Sequence, residues 1–204
     1  KRYKLTMKSS ISSFFLKKSK LVYLFIIFLF SFNFSVKSEE PQVTTVSELQ
    51  KMLLEITEKK EDVSIDKTIE SITHFYDTRK MIRMIIGDQW KKISKSKKDE
   101  VTVLFGKYIA RNYIKQFSRF NSIKFNYKGK KRIGEKYLLV KSILILNNKD
   151  QIKINYLLIN DKESKIFDVL IDGTISEIST KKSEFSKHLQ EGGVDLLIKE
   201  LRKK

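Results

Sequence analysis

A change of hydrophobic period near residue 121 constrains the fold of this chain most strongly. Before it, apolar residues recur at steps of three and four, which is the period of amphipathic helices. After it, the period of two that is typical of strands appears in runs at 122–127, 137–146, 151–159 and 166–171. Short polar segments separate the last three runs, so these runs predict an antiparallel meander.

The fold class expected from this order is α+β, with an antiparallel sheet of four to five strands and helices packed on one of its faces. N-terminal helices precede the strands, and C-terminal helices follow them on either side of Gly192-Gly193. The longest helix is expected at about 97–119, and the run 137–146, apolar on both sides, is expected to be central or covered on both faces. Ser47, Asp66, Asp77 and either Ser94 or Ser96 are the predicted N-caps.

The first 38 residues have the composition of a secretory signal. They contain eight basic and no acidic residues, and the basic cluster 17–20 precedes an apolar run at 21–34. Fourteen helical residues rise about 21 Å, which is less than the thickness of a bilayer core of about 30 Å. We therefore expect 1–38 to be a signal peptide cleaved after Ser38, with an uncleaved anchor as the alternative, and Met7 as a possible start. Residues 39–204 form the expected mature domain.

The charge that remains after this segment is moderate. Residues 39–204 keep 34 basic and 24 acidic side chains, a net charge of +10. Lysine dominates over arginine, and no helix concentrates arginines for reading bases, so we do not expect nucleic acid as a partner. An AT-rich genome explains the lysine content, and attraction to anionic lipid is a secondary benefit.

Catalytic and metal-binding motifs are missing from the sequence. The chain has no cysteine, and its two histidines, His74 and His188, are far apart in sequence with no partner motif. Asp168 falls within a predicted strand, where a carboxylate is expected to face solvent. We therefore expect no catalytic residues, no metal and no cofactor, and a protein that is not an enzyme.

Two long segments resemble the MlaC family, also called the toluene-tolerance auxiliary family. The first extends from Phe75 to Phe117, and the second covers 166–201. In the first, the matching residues are Phe75, Asp77, Met81-Ile82-Arg83, Ile86-Gly87, Trp90, Ser94, Phe105 and Tyr113. In the second, they are Phe167-Asp168-Val169, Gly173, Ser176, Ser183, Phe185, Gly192-Gly193 and Leu197-Ile198. Thr180-Lys181-Lys182 stands where the family has Asn-Tyr-Arg.

The resemblance implies a periplasmic phospholipid-binding component of the Mla ABC transport system, with an NTF2-like or cystatin-like fold. Such a protein shuttles phospholipid between an outer-membrane lipoprotein complex and an inner-membrane complex with an MCE-domain protein. This exchange maintains the lipid asymmetry of the outer membrane. The protein is expected to act as a monomer.

A lipid carrier needs a large apolar cavity with polar groups at its mouth. Residues of an ordinary core and residues that line a pocket recur at the same spacing. Each apolar candidate can therefore belong either to the core or to the pocket. The candidates for the pocket are Met81, Met84, Ile85, Trp90, Leu104, Tyr108, Val140, Ile152, Ile154, Tyr156, Val169 and Ile171. The candidates for the lipid headgroup are Arg79, Arg83 and Lys141.

Other functions remain open at this stage. A second candidate cargo is another amphiphile, such as a hopanoid. A filled core would favour a structural periplasmic module, and polar groups converging in a cavity, with His74 or Asp168 among them, would favour an enzyme.

Overall fold

The computed structural model describes residues 41–147 and 149–204. The predicted signal segment at 1–38 lies outside these residues. Helix α1 (Pro41–Lys59) leads through a 3-10 turn (Lys60–Asp62) to α2 (Ile65–Phe75) and α3 (Thr78–Ile86). The short α4 (Gln89–Lys92) and the long α5 (Lys95–Phe117) complete the N-terminal half. None of the helices in this described part of the chain is both long and apolar enough to cross a bilayer.

The sheet that follows is an antiparallel meander with the strand order β1-β2-β3-β4-β5. The strands are β1 (Ile123–Ile133), β2 (Tyr137–Leu146), β3 (Asp150–Ile159), β4 (Ile166–Ile171) and β5 (Ile175–Ser176), and helix α6 (Glu177–Lys203) ends the chain. The expected α+β order is therefore confirmed. A bulge between Tyr127 and Lys130 shifts the register of the edge strand β1.

The helices cover one face of the sheet, and side-chain alternation explains how the core forms. On β2, Leu138, Val140 and Leu144 face the helices and are almost fully buried. The intervening Leu139, Ile143 and Ile145 face outward and are partly exposed. The doubly apolar strand is thus internal in the sheet but covered on only one face.

Two predicted N-caps hold, and two are wrong. The side chains of Asp77 and Ser94 accept hydrogen bonds from Lys80 N and Lys97 N, at 2.8 and 3.2 Å. Helix α1 begins at Pro41, so Ser47 lies inside it and its hydroxyl donates to Thr44 O. Proline suits the first turn of a helix because its missing N–H has no partner there.

Ser64, and not Asp66, caps α2, since the Ser64 hydroxyl accepts from Lys67 N. The final helix begins at Glu177, with Ser176 as its N-cap. It contains a kink at Gly193, where φ is 62°. The Gly-Gly pair therefore marks the expected break between two helical segments, which follow each other without an intervening loop.

Candidate functional site

An apolar cavity of about 550 Å³ lies between the inner face of β2–β4 and the helices α1 and α5. On the sheet side, it is lined by alternate residues of β3, including Ile152 and Ile154, and by Val169 and Ile171 of β4. These residues lie toward the end of the sheet where β2 turns into β3. Leu146 of β2 pairs with Asp150 of β3 at that end. A cavity of this size is typical of a small-molecule site.

Each tyrosine hydroxyl in the cavity lining has a hydrogen-bond partner. Tyr76 and Tyr113 share a hydrogen bond of 2.6 Å, and the Gln50 amide donates to Ser142 Oγ at 3.0 Å and to the Tyr156 hydroxyl at 3.3 Å. Burial raises the pKa of Tyr76 well above its usual value and that of Tyr156 to about 12. These phenols are therefore neutral at physiological pH, and the wall they form is uncharged.

A charged cluster lies at one edge of the cavity, where α5 meets the start of α6. Lys181, which lines the cavity, donates to the Tyr108 hydroxyl at 3.0 Å and to Glu184 at 2.8 Å. Tyr108 in turn donates to Glu184 at 2.7 Å, and Lys204 lies 2.9 Å from the same carboxylate. Partial burial acts to raise the pKa of Glu184, but the hydrogen bonds from the two lysines hold it at about 2.

Glu177 lies one helical turn before Lys181 and also lines the cavity. Among the described residues, its carboxylate has no hydrogen bond or ion pair, whereas most other charged groups nearby are paired. Burial, together with Asp168 and Glu184, raises the pKa of Glu177, and Lys181 only partly offsets this. The carboxylate therefore has unused acceptor capacity beside an apolar cavity.

Asp168 holds the start of α6 in place. Its carboxylate accepts from Val169 N, Ile178 N and Ser176 Oγ, at 2.9, 3.1 and 2.7 Å. It is 6% exposed, so the expected solvent-facing position is wrong. These bonds tie β4 to the helix that carries Glu177 and Lys181, and all of the Asp168 contacts are structural.

Seven of the twelve pocket candidates line the cavity, and they come from α3, α5 and the inner face of β3 and β4. They are Met81, Tyr108, Ile152, Ile154, Tyr156, Val169 and Ile171. Five candidates lie elsewhere. Ile85 and Val140 are filled core, Leu104 is partly buried against it, Met84 is 39% exposed, and Trp90 lines a separate cleft.

The headgroup candidates Arg79 and Arg83 lie in that separate cleft, which has a volume of about 310 Å³. Arg79 forms an ion pair of 2.7 Å with Asp99, and its guanidinium lies 5.3 Å from the Trp90 ring centroid. Lys141 is exposed on the outer face of the sheet, away from the helices. Cations at the cavity come instead from Lys181 and Arg119.

Apart from Tyr108 and Tyr156, which were predicted, sequence reasoning missed the polar side chains of the cavity. On α5, Tyr108, Asn112 and Gln116 are spaced at four residues, so they share one edge of that helix, and Arg119 follows just after its C-terminal end. This spacing is visible in the sequence and marks the polar border of the apolar stripe. For Lys181 and Glu177, no local signal exists, because their partners lie on distant elements.

Neither His74 nor Asp168 is among the residues that line the cavity. His74 borders a shallow depression on α2, and its ring lies against Phe75. In the described part of the chain, no group of three histidine, aspartate or glutamate side chains is placed to hold a metal ion.

Comparison with known proteins shows the family to which this chain belongs. The chain is similar in structure to a phospholipid-binding protein from Ralstonia solanacearum, solved in complex with a phospholipid, with a TM-score of 0.67 and 17% identity. The match covers 81% of this chain and 96% of that protein. No curated protein sequence matches the chain. The family model described as "MlaC protein" matches residues 44–203, and the chain therefore belongs to the MlaC family.

Proposed function

We propose that this protein is a phospholipid carrier that binds the acyl chains of its cargo in the cavity between the sheet and the helices. The observation that carries the proposal is the cavity itself, an apolar space of about 550 Å³ inside a domain with an otherwise buried hydrophobic core. Membership of the MlaC family and the fold shared with a phospholipid-binding protein support it.

Acyl chains need such a shelter to cross water. Each buried methylene contributes about 0.8 kcal/mol, so an acyl chain of about 16 carbons exposed to water costs about 13 kcal/mol. The β3 and β4 side chains Ile152, Ile154, Val169 and Ile171 offer branched aliphatic surface, and Met81 adds a flexible thioether that adapts to different tails. A wall of this kind binds acyl chains because it buries their apolar surface, and it does not need a fixed contact geometry.

The proposed route of transport follows from the family and from the N-terminal segment. The chain is exported through the signal at 1–38 and works in the periplasm. There it exchanges phospholipid with an outer-membrane lipoprotein complex and with an inner-membrane ABC transporter complex that contains an MCE-domain protein. This shuttling maintains the lipid asymmetry of the outer membrane.

The carrier acts by binding and release and is not an enzyme. The tyrosine hydroxyls of the cavity are neutral and hydrogen-bonded, and the cavity lining contains no histidine. Asp168, the most buried carboxylate beside it, uses its oxygens to hold α6. A cavity of this size also argues against a purely structural module, because such a module gains stability by filling the space.

Native mass spectrometry tests this proposal. The full chain is expressed with its own N-terminal segment in a Gram-negative host, purified from the periplasm, and its lipids are extracted in parallel. We expect about one diacyl phospholipid per protein, on a chain shortened at its N-terminus. A hopanoid or another amphiphile in place of phospholipid would select the alternative cargo. A lipid-free mass, with no uptake from phospholipid vesicles, would refute the carrier function.

A further inference from the structure

The cavity edge holds two opposite charges that are not paired with each other. Glu177 and Lys181 lie four residues apart on α6, so they face the same side of the helix one turn apart. Both line the cavity. Lysine and glutamate at this spacing ordinarily form an ion pair, but Lys181 is bound to Glu184 instead, at 2.8 Å.

Lys181 keeps one hydrogen-bond donor for a ligand. Its ammonium group has three N–H donors, and the Tyr108 hydroxyl and Glu184 accept two of them. The side chain is 20% exposed, and its position is fixed by these two partners. Because Glu184 is shared with Lys204, the three groups together carry one positive charge. This arrangement is suited to a phosphate oxygen.

Glu177 keeps all of its acceptor capacity. Its two oxygens receive no hydrogen bond from the described residues, although the side chain is partly buried beside apolar surface. A carboxylate in such a position is costly unless a donor arrives with the ligand. A primary ammonium group satisfies it best, because it brings both a positive charge and up to three N–H donors.

We propose that this end of the cavity selects phospholipids with a zwitterionic headgroup that carries a primary amine, with the phosphate at Lys181 and the ammonium group at Glu177. The inference rests on the proposed carrier function and specifies its substrate class. A phosphate and an amine separated by two carbons match two side chains four residues apart on a helix, about 6 Å along the axis.

Other headgroups fit this pair less well. A glycerol phosphate headgroup has a net negative charge and places neutral hydroxyls near the Glu177 carboxylate. A choline headgroup has the positive charge, but its quaternary amine has no N–H to donate. We therefore expect the order of affinity to be ethanolamine, then choline, then glycerol.

Competition between headgroups tests the inference. Lipid-free full chain is exposed to vesicles with equal amounts of dioleoyl phosphatidylethanolamine, phosphatidylcholine and phosphatidylglycerol, and native mass spectrometry counts each bound lipid. We expect about a tenfold preference for the ethanolamine over the glycerol lipid, equal to one strong charged hydrogen bond. Glu177→Gln should bring this ratio close to one, whereas Glu48→Gln, on the exposed surface of α1, should leave it unchanged.

Lys181→Gln should lower the uptake of all three lipids, because each carries a phosphate. The matched control is Lys182→Gln, an exposed neighbour outside the cavity lining. A probe that needs no variant is the ethanolamine lipid acetylated on its amine. It keeps the phosphate but loses the ammonium group, and it should bind no better than the glycerol lipid.

The outcomes separate the two proposals. Equal uptake of the ethanolamine, glycerol and acetylated lipids by the unaltered protein would overturn the headgroup inference and leave the carrier function intact. A preference that persists in Glu177→Gln would also overturn it. Failure to take up any lipid would overturn both proposals.

Discussion

Two regions of this protein place cations beside aromatic rings, and they differ in what those cations are bound to. In the cleft at α3, Arg79 is paired with Asp99 and stacked near Trp90, and the Lys80 ammonium lies 3.8 Å from the Phe167 ring centroid. At the cavity, Lys181 makes two of its three possible hydrogen bonds within the described residues, and the nearby Glu177 has no hydrogen-bond or ion-pair partner among them.

The two regions border different stretches of β3. The cleft includes Ile159 at one end of the strand, whereas the cavity is lined by Ile152, Ile154 and Tyr156. The comparison indicates that a cation is a candidate ligand site where it has an unused donor and also faces an apolar space.

The largest effect is expected from filling the cavity. Replacing Ile152 by Trp puts an indole ring into the space for the acyl chains, so phospholipid uptake should fall by about tenfold or more. The control is Ile159→Trp, on the same strand but at the cleft. Uptake is measured by native mass spectrometry after incubation with vesicles. Equal uptake by both variants would place the lipid outside the cavity.

A large effect on stability is expected from Asp168→Ala. The change leaves Ile178 N and Ser176 Oγ without their acceptor where α6 begins, and it should lower the free energy of unfolding by about 3 kcal/mol. Urea denaturation measures the loss. Asp88→Ala removes a fully accessible carboxylate and should change stability by less than about 0.5 kcal/mol. Similar losses for the two would show that Asp168 does not support this end of the cavity.

A smaller and pH-dependent effect is expected from Glu184→Gln. The folded-state pKa of Glu184, about 2, lies below its ordinary value of 4.5. Its contribution to stability is therefore present above about pH 5 and is lost as the pH falls toward 2. Since the side chain is 33% exposed, solvent screening limits the loss at pH 7 to about 1 kcal/mol. Urea denaturation at pH 7 and pH 3 should show the difference shrinking in acid. A constant difference would contradict it.

The smallest effect is expected from Arg83→Gln in the cleft. Since this residue lies outside the cavity lining, lipid uptake should stay within about twofold of the unaltered protein. The same vesicle assay measures it. A loss as large as that of Lys181→Gln would make the cleft, and not the edge of the cavity, the headgroup site.

The sequence was sufficient to predict the fold because its signals are local. The period of two predicted the strands, and the polar segment at 160–163 predicted a hairpin connection. Asp77 was recognised as an N-cap from its position alone, and Ser94 was one of two candidates for the next cap; both act as caps. Ser47 was misread because the capping pattern there competes with Pro41, which begins the same helix six residues earlier.

The cavity was only partly predictable, because a lining residue and a core residue share the same spacing. Ile85 and Ile154 both follow apolar periodicity, but only Ile154 faces the open space. The charged edge was not predictable at all. Lys181 is 73 residues from Tyr108 in sequence, so only the folded chain shows that the two meet.

The charges on the edge strand β1 affect how two copies of the protein meet. The strand contains five basic and no acidic residues, no other described strand pairs with its outer edge, and a bulge interrupts its hydrogen-bonding groups. Two copies that approached edge to edge would bring rows of like charge to within about 4.8 Å. This repulsion opposes the joining of sheets into larger aggregates.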